Sequence, residues 1–248
     1  MNEITSISNN TVKDIVKLHQ KKYRDEFIIV EGEKSLESAV ETGLKIKGIF
    51  SCNKDLLEKY KDFETYLIND KIMEKISTTE SAPTVLGIIA RPKYNLEHFK
   101  KFKKIVLLDN IKDAGNLGTI IRTAAAFDID GILLFGDCTD EYSPKTIRSS
   151  AGNIFKIPLT HATLEQLSEF KKSHKMVTTV VNSKNYIRDY NVKEPYIVMF
   201  GSEAQGLCKE LLSIGDVSYT IPMKDGVESL NLAVSCGIFL YEISKYTG

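Results

Sequence analysis

The sequence predicts an α/β protein: a mainly parallel sheet covered by helices on both faces, with a smaller α/β domain in front. After residue 103, continuous apolar runs alternate with segments of helical periodicity, which is typical of βαβ units. Before residue 91, shorter β-rich runs alternate with helical patterns. The basic segment between them contains Arg91-Pro92 and lacks apolar periodicity. We therefore predict two domains, at residues 1–100 and 101–248.

In the smaller domain, short runs rich in β-branched and aromatic residues predict strands. These runs are "FIIVEG" (27–32), "IKGIFS" (46–51), "TYLI" (65–68) and "VLGIIA" (85–90). Helical patterns lie between and before them, near 11–22, 33–43, 54–62 and 70–76.

In the larger domain the predicted strands are "KIVLLD" (104–109), "GILLFG" (131–136), "FKIPL" (155–159), "MVTTVV" (176–181), "YIVMFG" (196–201) and "YTIPM" (219–223). The predicted helices lie near 116–128, 143–151, 163–174, 206–213 and 228–246. Because ligands of such sheets usually bind at the carboxyl ends of the strands, we expect the functional site in the loops that follow them.

Composition excludes several classes of protein. Hydrophobic residues make up 42% of the 248 residues and charged residues 27%, as in ordinary globular domains. The N-terminal "MNEITSISNN" is unlike a signal peptide, and no apolar stretch is long enough to span a membrane. The four cysteines and four histidines are scattered without a C-x-x-C pair, so we expect no metal site and no disulfide framework. A reducing, cytoplasmic setting follows as the expectation.

Charge is balanced over the chain but concentrated in two basic runs. "KDIVKLHQKKYR" (13–24) carries five Lys and Arg residues against one acid, and "RPKYNLEHFKKFKK" (91–104) carries six against one. Basic runs with interleaved aromatic residues suit a nucleic-acid backbone. A solvated helix face and a linker would have the same composition, so charge alone leaves both interpretations open.

The loop and helix that follow the first strand of the larger domain carry an unusual arginine. At helical spacing, Leu117, Ile120, Ile121 and Ala124 form one apolar stripe, and Arg122 lies off it. Gly118 stands one turn earlier. We interpret this glycine as leaving room beside Arg122 for a ligand.

Three glycine-bearing loops follow strands of the larger domain. They are "LLDNIKDAGNLG", "MFGSEAQGL" (199–207) and "IPMKDGVESLNLAVSCGIFLYE" (221–242). None has the spacing of a dinucleotide fingerprint or of a phosphate-binding P-loop. A nucleotide-binding oxidoreductase would be expected to carry such a fingerprint after its first strand.

In order and spacing, these loops resemble the three motifs of the SpoU/TrmH family of RNA ribose 2′-O-methyltransferases, within the SPOUT superfamily. "NLGTIIRTA" (116–124), "GSEAQGL" (201–207) and "IPM…ESLNLAVS" (221–235) match almost residue for residue. More weakly, "FIIVEGEKSLESAV" (27–40) resembles the substrate-binding domain that many members carry. The chain departs from the family at Ala114, usually proline, at Ala204, often glycine, and at Asp225-Gly226, where the glycine is shifted by one residue.

The resemblance implies a parallel sheet with a deep trefoil knot, and S-adenosyl-L-methionine as the cofactor. It implies that backbone groups of Gly201, Ile221 and Leu230 bind the cofactor and that Gly206 and Met223 shape its pocket. Glycine suits such positions because the backbone can approach a ligand without an intervening Cβ.

The resemblance also implies a catalytic role for Arg122, helped by Asn116, and we predict Glu203 and Asn231 as further catalytic residues. Glu203 could order its loop or accept a hydrogen bond from the cofactor side, and Asn231 could cap the last helix or contact the reacting ribose. Arg122 is the family's proposed activator of the 2′-hydroxyl, but a guanidinium is effectively never deprotonated in proteins. Arg122 could instead hold a phosphate and stabilise developing alkoxide charge. Ser229 is open to two interpretations, as a helix N-terminal residue or as a contact to the ribose.

The apolar pattern of the last predicted helix indicates self-association. Leu230, Ala233, Val234, Gly237 and Tyr241 form one apolar stripe, and Leu232, Cys236, Phe239 and Ile243 form a second. One stripe can face the core, so we place Leu232 and Phe239 of the second in a homodimer interface, as the family implies. A helix buried on all sides within one chain is the alternative.

The predicted function is therefore methyl transfer from S-adenosylmethionine to a ribose 2′-hydroxyl of RNA. The N-terminal domain favours ribosomal over transfer RNA, because such domains are commoner among the ribosomal RNA enzymes of the family. The alternative is a non-catalytic RNA-binding protein that retains the fold, which the joint presence of Asn116, Arg122, Glu203 and Asn231 disfavours.

Overall fold

A computed structural model describes residues 1–192, 195–226 and 228–244. It divides into two units: Met1–Pro92 with Asp140–Lys156, and Lys93–Thr139 with Ile157–Gly248. The segment 140–156 lies in the second predicted domain by sequence but packs within the first unit. The division at residue 100 into a substrate-binding and a catalytic domain remains a prediction.

The strands are β1 (Asn2–Ile4), β2 (Phe27–Glu31), β3 (Ile46–Ser51), β4 (Thr65–Ile68), β5 (Val85–Ala90), β6 (Lys104–Asp109), β7 (Gly131–Phe135), β8 (Leu159–His161), β9 (Lys175–Thr179), β10 (Tyr196–Phe200) and β11 (Val217–Tyr219). The α-helices are α1 (Asn10–Lys17), α2 (Glu33–Glu41), α3 (Lys54–Glu58), α4 (Asp70–Ile76), α5 (Leu96–Phe99), α6 (Ala114–Ala126), α7 (Pro144–Ser149), α8 (Leu164–Phe170), α9 (Lys209–Ile214) and α10 (Leu232–Ser244).

The first unit contains a five-stranded mixed sheet in the order β1-β4-β3-β5-β2. β5 runs antiparallel to both of its neighbours, while β1, β4 and β3 are parallel. Strands β3, β4 and β5 match their predicted bounds, and the small α/β domain is confirmed. β1 was not predicted, because it has only three residues, which is too short to show the alternation of a strand. Ile4 is its one buried residue.

Buried ion pairs hold the segment 140–156 within this unit. Arg24 donates through Nε and Nη2 to Asp140, at 2.9 and 2.5 Å, and both side chains are about 95% buried. Arg91 pairs with Glu141 at 2.8 Å, and Arg148 with the buried Glu31. Paired and hydrogen-bonded charges are the form in which a protein interior tolerates ionised groups.

The second unit contains a six-stranded, fully parallel sheet in the order β11-β9-β10-β6-β7-β8, which confirms the predicted fold class. On one face, Leu107 and Met199 pack with Leu167 of α8 and Leu211 of α9. On the other, α6 packs against α10, and the Phe200 and Phe239 rings meet edge to face at 5.6 Å. The trefoil knot remains a prediction.

Two predicted strands were misplaced. The run 155–159 enters a 3₁₀ turn at Asn153–Phe155 after the left-handed Gly152 (φ +80°), and β8 begins only at Leu159. The run 219–223 is mostly loop, because β11 ends at Tyr219 and Pro222 offers no N–H to a ladder. Short apolar runs do not reveal by periodicity whether they are strands.

The last helix contradicts the predicted interface. Leu232, Cys236, Phe239 and Ile243 are each at most 8% exposed, so this stripe faces the chain's own core. The exposed apolar side chains of α10 are Val234 and Tyr241, at 51% and 53%. The predicted continuation of this helix to residue 246 lies outside the described residues. Within the part of the chain that is described, no helix, α10 included, has the length and apolarity needed to cross a membrane.

Candidate active site

The site lies where β6 and β10 end. These strands are parallel neighbours, with Phe200 in register with Leu108, so the loops that follow them leave the same edge of the sheet. The first loop leads into α6, whose N-cap Asp113 accepts a hydrogen bond from the Asn116 N–H at 2.8 Å. This cap sets where α6 begins and so places the Asn116 side chain in its first turn.

Three of the four predicted catalytic residues form one hydrogen-bonded chain. Asn231 donates through Nδ2 to Asn116 Oδ1 at 3.2 Å, and Asn116 donates through Nδ2 to the Glu203 carboxylate. Asn231 also caps α10, because its Oδ1 accepts from the N–H groups of Ala233 and Val234. The three motifs thus meet at these hydrogen-bonded side chains. The tertiary structure brings them together from positions up to 115 residues apart.

The turn after β10 depends on two glycines. The backbone groups of Ser202 and Gly206 exchange hydrogen bonds of 3.1 and 2.8 Å, closing a tight loop around residues 203–205. A Cβ on Gly201 would lie 1.9 Å from the Gly206 carbonyl carbon, so only glycine fits there. Gly206 adopts φ +67°, in the left-handed region that favours glycine.

A buried carboxylate holds the far end of this turn. Asp109, the last residue of β6, accepts the Cys208 N–H at 2.7 Å and an Asn110 Nδ2–H at 2.6 Å. Sequence reasoning missed Asp109, although a carboxylate that ends an apolar strand is itself a signal. Burial raises the pKa of the neighbouring Cys208 thiol to about 11, so Cys208 is not a thiolate nucleophile at neutral pH.

All five predicted cofactor residues line one cavity of about 320 Å³. They are Gly201, Gly206, Ile221, Met223 and Leu230, and Glu203 and Ser229 line it as well. Its volume falls in the range of small-molecule pockets, ~300–1,000 Å³. Sequence reasoning missed further lining residues, namely the polar Thr179, Thr220 and Ser235 and the apolar Val181, Leu212 and Phe239.

The departure at Asp225-Gly226 has a local explanation. Gly226 adopts φ +87°, a conformation that side chains other than glycine rarely adopt. The shifted glycine thus occupies the position in this loop that needs it.

Arg122 stands apart from the hydrogen-bonded chain. It is exposed on α6, six residues and about 9 Å along the helix axis beyond Asn116. Among the described residues it has no ion pair. The interpretation of Gly118 was wrong, because Gly118 is buried on the core side of α6 and opens no surface beside Arg122.

Comparison with known proteins places this chain in a family. The SpoU rRNA Methylase family model matches residues 103–241, and the MRM3-like substrate binding domain model matches residues 9–87. The chain belongs to the SpoU rRNA methylase family. The predicted family is therefore confirmed, and the N-terminal match agrees with the weaker resemblance at residues 27–40.

Relatives and solved structures align along nearly the whole chain. The chain is 30% identical to RlmP of Bacillus subtilis, a 23S rRNA guanosine 2′-O-methyltransferase, over 98% of this chain and 99% of RlmP. It is 25% identical to the mitochondrial rRNA methyltransferase 3 of Mus musculus, over 94% and 71% of the two chains. The AdoMet-bound rRNA methyltransferase of Sinorhizobium meliloti superposes with a TM-score of 0.90 at 31% identity, covering 99% and 98%.

Among the residues that the structure describes, no group of three or more His, Cys, Asp or Glu side chains is arranged to hold a metal ion. The four cysteines are free.

Proposed function

We propose that this protein transfers a methyl group from S-adenosylmethionine to a ribose 2′-hydroxyl of RNA. The observation that carries the proposal is the convergence of the three loops. The predicted cofactor residues line one cavity, and the Asn231–Asn116–Glu203 chain reaches its rim at Glu203. A non-catalytic RNA-binding protein would not need this arrangement, and a dinucleotide-dependent oxidoreductase would need a fingerprint that the chain lacks.

The lining of the cavity fits S-adenosylmethionine. Backbone groups of Gly201, Ile221 and Leu230 are proposed to bind it, while Gly206 and Met223 shape the pocket. The apolar Leu212 and Phe239 line the pocket together with serine and threonine residues, as expected for a ligand with an aromatic base and a polar tail. When bound, the cofactor supplies an electrophilic methyl group and leaves as the neutral thioether.

The chain's own residues then position and polarise the acceptor. Glu203, held by Asn116, presents a carboxylate at the cavity rim that can accept a hydrogen bond from the 2′-hydroxyl. Arg122 is proposed to hold the neighbouring phosphate and to stabilise the alkoxide charge that develops as the proton leaves. Its exposure and the lack of an ion pair to a described residue support a role toward RNA.

Ribosomal RNA is the proposed substrate class, in preference to transfer RNA. The named activities of the bacterial and mouse relatives support it. We propose that residues 1–100, with their basic runs, capture RNA and that residues 101–248 carry out the transfer. A cytoplasmic homodimer is the proposed form, supported by the free cysteines and by the exposed apolar Val234 and Tyr241.

Methyl transfer can be measured directly. The full-length protein is incubated with labelled S-adenosylmethionine and with unmodified ribosomal and transfer RNA, and the product is digested with alkali. Ribose methylation leaves one alkali-resistant linkage, whose position names the nucleotide. Label in ribosomal RNA at such a linkage supports the proposal. RNA binding without label in either RNA would favour the non-catalytic alternative.

A further inference from the structure

A second cavity adjoins the one proposed for the cofactor. It has a volume of about 350 Å³ and is lined by residues 110–112, residues 202–205 and Leu232. Ser202, Glu203, Gln205 and Leu232 line both cavities, so the glycine-closed turn after β10 is a wall between them. No motif of the sequence predicted this second cavity.

Methyl transfer requires such a pair of neighbouring sites. The acceptor oxygen must approach the methyl carbon to within roughly 3–3.5 Å before reaction. In the reaction the oxygen–carbon bond forms, the carbon–sulfur bond breaks with its electron pair passing to sulfur, and the hydroxyl proton is released to solvent. The acceptor must therefore enter from a space that borders the cofactor cavity. The shared wall carries Glu203, which Asn116 holds in place.

The second cavity has the chemistry to hold a nucleotide. Ile111 and Leu232 are at most 8% exposed and provide an apolar surface for a base or ribose. The exposed Gln205 carboxamide, which can both donate and accept, has no side-chain hydrogen bond to a described residue. Gln205 is thus free to contact a base edge.

Lys112 adds a positively charged donor to the second cavity. Its ammonium group donates to the Asp137 carbonyl at 2.7 Å and lies 2.5 Å from the Asp137 carboxylate. The pair is exposed to solvent, and because an ammonium has three N–H donors, Lys112 keeps one donor for an oxygen of a ligand.

The wall at Asn110 is rigid and conformationally unusual. Asn110 adopts φ +55°, and its side chain accepts the Asp137 N–H at 2.9 Å while donating to Asp109. A Cβ on Gly136 would lie 2.7 Å from the Asn110 side chain, so that glycine is needed for the packing. Left-handed residues other than glycine persist where the surroundings enforce them, and they cluster at functional sites.

We propose that this second cavity receives the acceptor nucleotide of the RNA, unstacked from its neighbours, with Gln205 contacting its base and Lys112 an oxygen of the same nucleotide. Sequence-specific recognition of RNA commonly targets single-stranded regions, whose unstacked bases can be contacted at their edges. The inference rests on the proposed function and deepens it, because it assigns the acceptor site within the same unit.

The test uses the full-length protein and transcripts of ribosomal RNA that differ only in the base at the modified position. Gln205→Ala is expected to lower kcat/KM on the cognate transcript about tenfold and to reduce discrimination among the four bases. Lys112→Ala is expected to raise KM for RNA severalfold. Lys112→Ala, which lies outside the cofactor cavity, should bind S-adenosylmethionine within twofold of wild type by calorimetry, and Gln205→Ala should lose less cofactor affinity than kcat/KM. Lys209→Ala removes an exposed charge that lines neither cavity and serves as the matched control.

The outcomes separate this inference from the proposed function. Wild-type protein that transfers no methyl group to any transcript would refute both together. An active wild type with Gln205→Ala and Lys112→Ala unchanged in kcat/KM would overturn the acceptor site alone. Cofactor affinity that falls in parallel with activity would assign Gln205 to the cofactor instead. A shift of either variant to monomer with RNA kinetics intact would show that a second copy fills the cavity, which also overturns the inference.

Discussion

The Asp109 carboxylate accepts the backbone N–H of Cys208 at 2.7 Å, across 99 residues of sequence. Asp109 ends β6 and Cys208 follows the turn that lines both cavities, so this bond anchors the turn to the sheet. Through its second oxygen Asp109 also accepts from Asn110. One buried carboxylate thus links the first two loops of the site.

Asp109→Asn is expected to weaken cofactor binding about tenfold. An amide offers one acceptor oxygen where two donors now point, so either Cys208 or Asn110 loses its partner, at a cost of ~1–3 kcal/mol in stability. Calorimetric titration with S-adenosylmethionine measures the effect. Asp216→Asn is the control, because Asp216 accepts the Met176 N–H at 2.8 Å away from both cavities. Equal cofactor affinity in the two variants would contradict the anchoring role.

Asn231 caps α10 and also donates a hydrogen bond to Asn116, and substitution can separate these two roles. Serine is as good an N-cap as asparagine but is too short to replace its bond to Asn116. Asn231→Ser should therefore keep wild-type stability while lowering kcat. Asn231→Ala should lose activity and, in addition, ~0.5–2 kcal/mol of stability. Thermal unfolding and methyl-transfer rates give the two readouts, and full activity of Asn231→Ser would show that the bond to Asn116 is dispensable.

Arg122→Ala should reduce methyl transfer by about 10²–10³-fold, the loss typical of removing one charge-stabilising donor. Its stability should change by less than ~0.5 kcal/mol, because the side chain is exposed and unpaired among the described residues. Arg122→Lys should also be poor, since an ammonium cannot reproduce a bidentate phosphate contact. Cofactor affinity within a few-fold of wild type is the control. Normal turnover in Arg122→Ala would remove Arg122 from the mechanism.

The exposed side of α10 gives a new prediction for the homodimer. Val234→Glu with Tyr241→Glu should shift the protein toward monomer in light scattering, because both apolar side chains are more than half exposed. Phe239→Ala should instead cost ~3–5 kcal/mol in stability through a core cavity. A double variant that remains dimeric would place the subunit contact elsewhere.

A fragment that begins at Lys103 should be unstable even though it contains all three motifs. It would lose β2, against which α7 packs, together with the Arg24 and Arg91 partners of Asp140 and Glu141, so the buried Ile147 of α7 would be exposed to water. Urea unfolding of the fragment and of the full-length chain provides the comparison. A fragment that unfolds as cooperatively and at the same midpoint as the full chain would show that the segment 140–156 does not need residues 1–92.

Much of the fold follows from local patterns. The runs 46–51, 65–68, 85–90 and 104–109 are strands at their predicted bounds, because continuous apolar or β-branched runs of that length suit strands buried in a sheet. The three glycine loops and their order were sufficient to predict the family. The five residues that the resemblance implies for cofactor binding line one cavity, and of these Gly201 stands where the chain comes close to itself, but their role toward the cofactor stays a prediction.

Sequence alone determined the fold class, the family and the loops of the site, since each depends on residues near one another in the chain. Only the tertiary structure decided that Leu232 and Phe239 face the core and that Gly118 is buried, because a helix with two apolar stripes does not indicate which stripe is covered. It likewise decided that Asp109 holds Cys208 and that Arg24 pairs with Asp140. Those partners lie 99 and 116 residues apart, and no local pattern specifies which distant donor a buried carboxylate will meet.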